Sequence, residues 1–251
     1  MAKLITHIKE NLVASKLDMS KVVVREDMTV ELIDYMGGDL SVARSARVST
    51  KTAPLEDISK DAGLINYLMR ERHGTPFEHN AFTFYVEAPI FVFREFMRHR
   101  VASYNEESGR YRELDPVFYV PSYDRKLLQI GKPGMYTFES GTDFQKAQVR
   151  EAILANSVES YIKYNKMLNL NVAKEVARMV LPVNLYSSMY VTMNARGLMN
   201  FLSLRTSKSD ALNPSYPQVE IEMVAEQMEA LWAEKMPLTY ESYRNNGWVS
   251  P

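Results

Sequence analysis

Segments of strand character and segments of helix character alternate along this 251-residue chain, yet none of the turns joining them carries the glycine-rich βα signature of a doubly wound parallel sheet. KVVVRE (Lys21 to Glu26), AFTFYVEA (Ala81 to Ala88) and Leu185 to Met193 are rich in β-branched and aromatic residues, which suit a pleated, half-buried surface. From Asp57 the residues Ile58, Ala62, Ile65 and Met69 recur at i, i+4, i+7 and i+11, one face of an amphipathic helix. No repeat, low-complexity tract or linker divides the chain. The expected fold class is therefore α+β, in a single domain spanning residues 1–251.

The remaining segments follow from the same signals. TVELIDYMGGD ends at a Gly37 and Gly38 turn, and a short helical stretch contains SVARSARVS. Pro89 opens IFVFREFMRHR, in which Ile90, Phe93, Met97 and Val101 lie close to one helical face while Arg94, Glu95 and Arg98 occupy others. Residues 112–141 read as a largely irregular connection with a short FYV strand. A long helix is expected from Asp143 to Leu170, with Leu154, Val158, Tyr161 and Leu168 inward. NVAKEVARMV is a shorter helix that stops before Pro182, and Asn194 is placed to cap a helix running through LMNFLSLR. Thr206 to Pro217 reads as a loop before the last strong helix, which places Ile221, Val224, Met228 and Leu231 on one face.

Composition narrows the chemistry. With no cysteine, disulfides, thiolate metal sites and cysteine nucleophiles are excluded. His7, His73, His79 and His99 are scattered and none forms the i, i+4 pair of a helical metal site, so no metal is expected. Thirty Lys and Arg against 31 Asp and Glu give net charge −1, without the basic excess that drives nucleic-acid binding. No run approaches the roughly 18 apolar residues of a membrane span. The start MAKLITHIKENL lacks a signal-peptide apolar region, and a cytoplasmic protein is expected.

Polar residues concentrate in four clusters. The densest is RHRVASYNEESGRY, Arg98 to Tyr111, directly after an apolar helix; on composition it fits a solvated loop with offsetting charges as well as a site. No Gly-x-Gly-x-x-Gly turn or P-loop is present, so phosphates would fall to side chains such as Arg98, Arg100 and Arg110, whose guanidinium forks bind phosphate oxygens in pairs. Glu106 could accept from a ligand or hold Arg98 or Arg110 in place. His99, between two arginines, should have a lowered pKa and remain neutral. HGTPFEH (His73 to His79) fits a helix stop with hydrogen-bonded histidines as well as a functional turn. EVARMVLP carries Arg178. NARGLMNFLSLR carries Asn194, Arg196, Asn200 and Arg205, with Arg196 and Asn200 on one helix face and Arg205 on roughly the opposite one.

These clusters, in this order, resemble the flavin-dependent thymidylate synthases. Their signature RHRxxSxNExSxRY is matched at every fixed position, by Arg98, His99, Arg100, Ser103, Asn105, Glu106, Ser108, Arg110 and Tyr111. The similarity runs from about Val30 through Arg205 and weakens at both ends. It implies reductive methylation of dUMP to dTMP with 5,10-methylenetetrahydrofolate as carbon donor, FAD as cofactor and NADPH as reductant. The unrelated cysteine-dependent enzyme needs a nucleophilic thiol, which this chain lacks and a flavin makes unnecessary. The implied architecture is a central, mainly antiparallel sheet packed by long helices, assembled as a homotetramer with shared sites.

By position in the motifs, the resemblance assigns FAD contacts to Thr75, Arg98, His99, Arg100, Glu106, Asn194, Arg196 and Asn200. It assigns dUMP contacts to Glu95, Arg98, Glu106, Glu107, Ser108, Gly109, Arg110, Arg178 and Arg205. Arg205 would polarise the uracil ring and His73 would shape the flavin and folate end of the pocket, the two residues assigned to catalysis. Many relatives have glutamine in place of Glu95 and a histidine shortly after Arg205, where this chain has none. The alternatives are a catalytically inactive nucleotide-binding or regulatory relative, against which Arg205 and His73 weigh, and an RNA-binding surface, against which the near-zero charge weighs.

Overall fold

The structure, a computed structural model, describes residues 21–51, 58–132 and 135–251. Its strands in chain order are β1 (Val23–Arg25), β2 (Thr29–Met36), β3 (Ala81–Pro89), β4 (Ser103–Glu106), β5 (Val117–Tyr119), β6 (Leu128–Lys132), β7 (Met135–Glu139) and β8 (Tyr186–Met193). Its helices are α1 (Asp39–Arg47), α2 (Ala62–Arg70), α3 (Ile90–Phe96), α4 (Asp143–Asn169), α5 (Lys174–Ala177), α6 (Ala195–Arg205), α7 (Val219–Lys235) and α8 (Pro237–Asn245). Helix and antiparallel sheet are thus mixed in the α+β manner. The expected helical start at Asp57 and the segment MAKLITHIKENL lie outside the described residues. No helix among the described residues is long and apolar enough to cross a membrane.

The chain forms two compact units, each built from separated segments. One takes in residues up to Asp27, Pro89–Phe93 and Glu107–Ser187; the other takes in Met28–Ala88, Arg94–Glu106 and Ser188–Pro251.

In the first unit β1 pairs in parallel with β5, Val23 opposite Val117. Helix α4 begins in a reciprocal capping box, in which Gln145 N donates to Thr142 Oγ1 and Thr142 N is bonded back to Gln145 Oε1. It buries Val158, Tyr161, Ile162 and Tyr164. Leu154, expected inward, is 38% exposed, and the buried face lies further along the helix. The core here joins Leu114, Phe118, Tyr161, Tyr164, Ala177 and Leu185. Two tyrosines of α4 satisfy both backbone groups of Leu114: Tyr161 Oη donates to its carbonyl at 2.8 Å, and its N–H donates to Tyr164 Oη at 3.2 Å. Burial pushes the Tyr161 hydroxyl up to about 12, so it stays a donor at any ordinary pH. Residues 112–141, expected to be largely irregular, contain the antiparallel hairpin of β6 and β7, with Gln129 opposite Phe138. Every residue of β6 is exposed, so no buried face imposes the apolar alternation by which a strand is recognised.

In the second unit the sheet runs β2-β3-β8-β4. The pairs β2 with β3 and β4 with β8 are antiparallel, as expected. Strand β3 alternates strictly, burying Phe82, Phe84, Val86 and Ala88. Helix α7 packs against β2 and buries Ile221, Val224, Met228 and Trp232. Helix α3 ends at Phe96, so Met97 and Val101, expected on its apolar face, are 47% and 71% exposed. Phe96 instead stacks on Phe201 of α6. Helix α8 follows α7 after one residue and was not expected; Pro237 occupies its first turn, where a missing N–H costs nothing.

The start of α8 is capped from a distance. Asp39, buried at the start of α1, accepts from Leu238 N and Thr239 N, both at 2.9 Å, and from Thr239 Oγ1 at 2.6 Å. The two N–H groups are orphan donors of a helix N-terminus, and a carboxylate also suits the positive end of the helix dipole. Asp39→Ala should therefore destabilise by about 3 kcal/mol, since it leaves buried donors without acceptors. A thermal melt should register the loss as a fall of roughly 6–12 °C; an unchanged melting temperature would show that the cap is dispensable.

Candidate functional site

Helix α6 carries much of the candidate site, and two asparagines fix its start. Asn194 Oδ1 accepts from Gly197 N at 2.8 Å, the expected cap. Asn80 Oδ1 accepts from Ala195 N at 2.7 Å, while Asn80 Nδ2 donates to Phe77 O. Asn80 is buried and ties the HGTPFEH turn, which folds as a 3₁₀ helix over Thr75–Glu78, to the first turn of α6. Nothing near Asn80 in the sequence marks it, because its partner Ala195 lies 115 positions away.

Along one face of α6, Arg196 and Asn200 border a cavity of about 780 Å³ that is also lined by Asn194, Arg98, His99 and Arg100. Six of the eight residues assigned to FAD thus meet at one cavity, from two stretches of sequence almost a hundred residues apart. Its volume falls in the range of ligand and cofactor sites. Arg98 and Arg100 are exposed, as their expected role with an anion requires. Thr75 and His73 line a second cavity of about 720 Å³ with Ser45, Ser49, Tyr67 and His79, and Arg72 and Arg196 border both cavities. Glu106 closes β4 opposite Met189 and is not among the residues lining either cavity.

The far end of α6 places Arg205 in a separate polar cluster. Its Nη1 donates to Glu95 Oε2 at 2.9 Å and its Nε donates to His99 Nε2 at 3.1 Å. His99 is buried against Phe201, with ring centroids 4.9 Å apart. Its pKa is lowered to about 4, chiefly because burial disfavours the charged ring and secondly because Arg205 is positively charged. The expected direction holds, but the cause is burial and Arg205, 106 positions away, rather than the adjacent Arg98 and Arg100. Since Nε2 accepts, the ring proton of neutral His99 resides on Nδ1. Glu95 is pushed above the ordinary carboxylate range: burial raises it, Arg205 pulls it down, and Glu220 raises it again. The Glu95 carboxylate is therefore the partner of Arg205, which its assignment to dUMP did not foresee.

The remaining residues assigned to the nucleotide, Glu107 to Arg110 and Arg178, belong to the first unit. Gly109 is buried, and a Cβ there would lie 2.8 Å from Leu114 Cδ1 and 3.2 Å from Arg178 Cδ, so a side chain would press first on Leu114 and then on Arg178. Ser108 O accepts from Tyr111 N and Arg112 N, closing the turn. Arg110 Nε donates to Glu175 Oε2 at 3.1 Å, with both side chains more than half exposed. A pair so exposed contributes little to stability and yields readily to a stronger anion. Arg112 pairs with Glu107 at 3.0 Å. Glu175 and Arg112 were not singled out from sequence, because only the turn brings them to the assigned residues.

Comparison with known proteins identifies the family. The family model for the thymidylate synthase complementing protein matches residues 31–238. A flavin-dependent thymidylate synthase of Streptomyces avermitilis is 56% identical over 240 residues, covering 93% of this chain and 98% of the relative. One from Streptomyces coelicolor is 57% identical with the same coverage. Among solved structures, the UMP/dUMP methylase PolB from Streptomyces cacaoi, bound with 5-Br UMP, superposes with a TM-score of 0.86 at 50% identity, covering 92% of this chain and all of that one.

The state of His99 has a measurable consequence. Its folded pKa of about 4 lies below the ordinary 6.5, so the unfolded chain takes up a proton first as pH falls. The stability it contributes is complete above about pH 6.5 and is lost as the pH falls toward 4. Melting temperatures of the wild type and His99→Gln, measured from pH 7 to pH 4, should differ less and less toward acid. A parallel pair of curves would show that His99 is not held neutral.

Proposed function

Because the chain belongs to the flavin-dependent thymidylate synthases, we propose that its two polar clusters divide the work of that activity, one holding FAD and the other acting on dUMP. The observation that carries this reading is the meeting of Arg98, His99, Arg100, Asn194, Arg196 and Asn200 around one cavity of about 780 Å³. The donor set fits the group. Guanidinium forks suit a diphosphate, the uncharged His99 offers a flat surface, and Asn200 offers both a donor and an acceptor for ribose or ring edges. Thr75, His73 and Glu106 complete the assignment, His73 at the flavin and folate end. When bound, the flavin would supply the hydride chemistry of the reaction and remove the need for a cysteine nucleophile, which this chain lacks.

The remaining steps fall to this chain's own side chains. Glu107, Ser108, Gly109, Arg110 and Arg178 bind the nucleotide, the arginines taking its phosphate in place of partners such as Glu175. Arg205 places a fixed cation at the uracil ring. Its guanidinium is oriented by Glu95 and by the neutral His99, both of which it meets from a side chain only 19% exposed. A cation so held strengthens with developing negative charge and needs no reorganisation when the charge appears. Arg98 stands at the junction of the two assignments. We read the chain as one domain over residues 1–251, assembling as a homotetramer in the cytoplasm, with NADPH as reductant and 5,10-methylenetetrahydrofolate as carbon donor.

The test supplies purified protein and FAD with dUMP, methylenetetrahydrofolate and NADPH and follows dTMP by chromatography, omitting each component in turn. Flavin turnover without dTMP would sink the reading. UMP deserves a parallel arm, because the solved relative is a methylase of both UMP and dUMP. Arg205→Ala should keep the flavin spectrum and lose on the order of a hundredfold or more in kcat, the scale of a removed charge-stabilising donor. Loss of FAD from that variant would show that its ligand is wrongly assigned.

A further inference from the structure

The guanidinium of Arg196 sits in a built socket. Its Nε donates to the Pro251 backbone oxygen at 2.8 Å, and its Nη1 donates to Glu78 Oε1 at 2.5 Å. Ser250 Oγ donates to the Arg196 carbonyl at 3.1 Å, which ties the same segment to the backbone of α6. Gly74 forms the floor. A Cβ there would lie 2.5 Å from Arg196 Cζ, 2.6 Å from Nε and 2.9 Å from Nη2. Gly74 has φ −70° and ψ −36°, a conformation open to any residue, so its missing side chain serves close approach and not backbone freedom.

These contacts use one edge of the fork. Nη2 and the second hydrogen of Nη1 make no hydrogen bond among the described residues, and the side chain is 46% exposed where the two cavities adjoin. A long arginine that must be ordered on binding loses affinity to that ordering, whereas one already held does not. We propose that Glu78 is a positioning residue of the cofactor site: with Gly74 and the Ser250–Pro251 backbone, it aims the free edge of Arg196 at the diphosphate of the flavin dinucleotide. This rests on the reading of Arg196 as an FAD contact.

The test titrates FAD into apo-protein by flavin fluorescence and measures kcat at saturating FAD. Glu78→Ala and Gly74→Ala should each raise the Kd for FAD by about tenfold, with kcat at saturation within about twofold of wild type. Glu78→Gln, which keeps an acceptor, should fall between Glu78→Ala and wild type. Gly74→Ala displaces only the end of a flexible side chain, and Glu78 is 38% exposed, so melting temperatures should change little. In an Arg196→Ala background neither substitution should weaken FAD binding further. The proposal is overturned if both variants bind FAD normally while Arg196→Ala does not, or if their effects persist undiminished without Arg196. If Arg196→Ala itself binds FAD normally, the assignment of Arg196 to the cofactor fails, a result distinct from failure of the socket alone.

Discussion

The buried first turn of α6 is the constraint on which the second unit depends. Ala195 is fully buried, so its N–H has no access to water and would cost about 1–3 kcal/mol if left without an acceptor. Asn80 supplies that acceptor and Asn194 supplies the one for Gly197. The two bonds set where α6 begins, and its helical pitch then fixes what each later residue faces. Arg196 and Asn200 come to the cavity; Arg205, nine residues on and about half a turn round, comes to Glu95 and His99. One helix thereby presents cations to two different surroundings.

The two arginines are held by different physics. Arg205 is largely removed from water, and a buried cation needs both compensating charge and hydrogen-bond acceptors. Glu95 provides the charge, and His99 accepts because burial keeps it neutral; a protonated His99 would repel the guanidinium instead. Arg196 is half exposed, so its ion pair with Glu78 adds little to stability, and its geometry is set jointly by Glu78, the close approach to Gly74 and the Pro251 backbone oxygen. In the first unit, Gly109 packs closely on Leu114 and Arg178, and the turn that contains it is steadied through Leu114, whose backbone is bonded at both ends to tyrosines of α4.

Much of this was legible in the sequence where local rules dominate. The alternation in β3, the helical period of α7, the Asn194 cap and the pairing of Arg196 with Asn200 on one face all follow from residues within a few positions of one another. Expectations failed where a neighbour distant in sequence, or none at all, sets the outcome. The β6 and β7 hairpin has no buried face to impose a pattern. Met97 and Val101 leave the apolar face because α3 stops at Phe96. Helix α8 opens on Pro237, and its cap, Asp39, lies about two hundred residues earlier.

The sequence by itself determined the α+β class, the absence of thiol chemistry and the residue types gathered in four polar clusters, because these depend on composition, period and motif spacing. Only the tertiary structure decided which of those residues meet. It joined Arg205 to Glu95 and His99, made burial the cause of the neutral imidazole, and built the Arg196 socket from Gly74, Glu78 and Pro251. Desolvation and hydrogen-bond geometry depend on neighbours brought together by folding, and such neighbours leave no mark on local spacing.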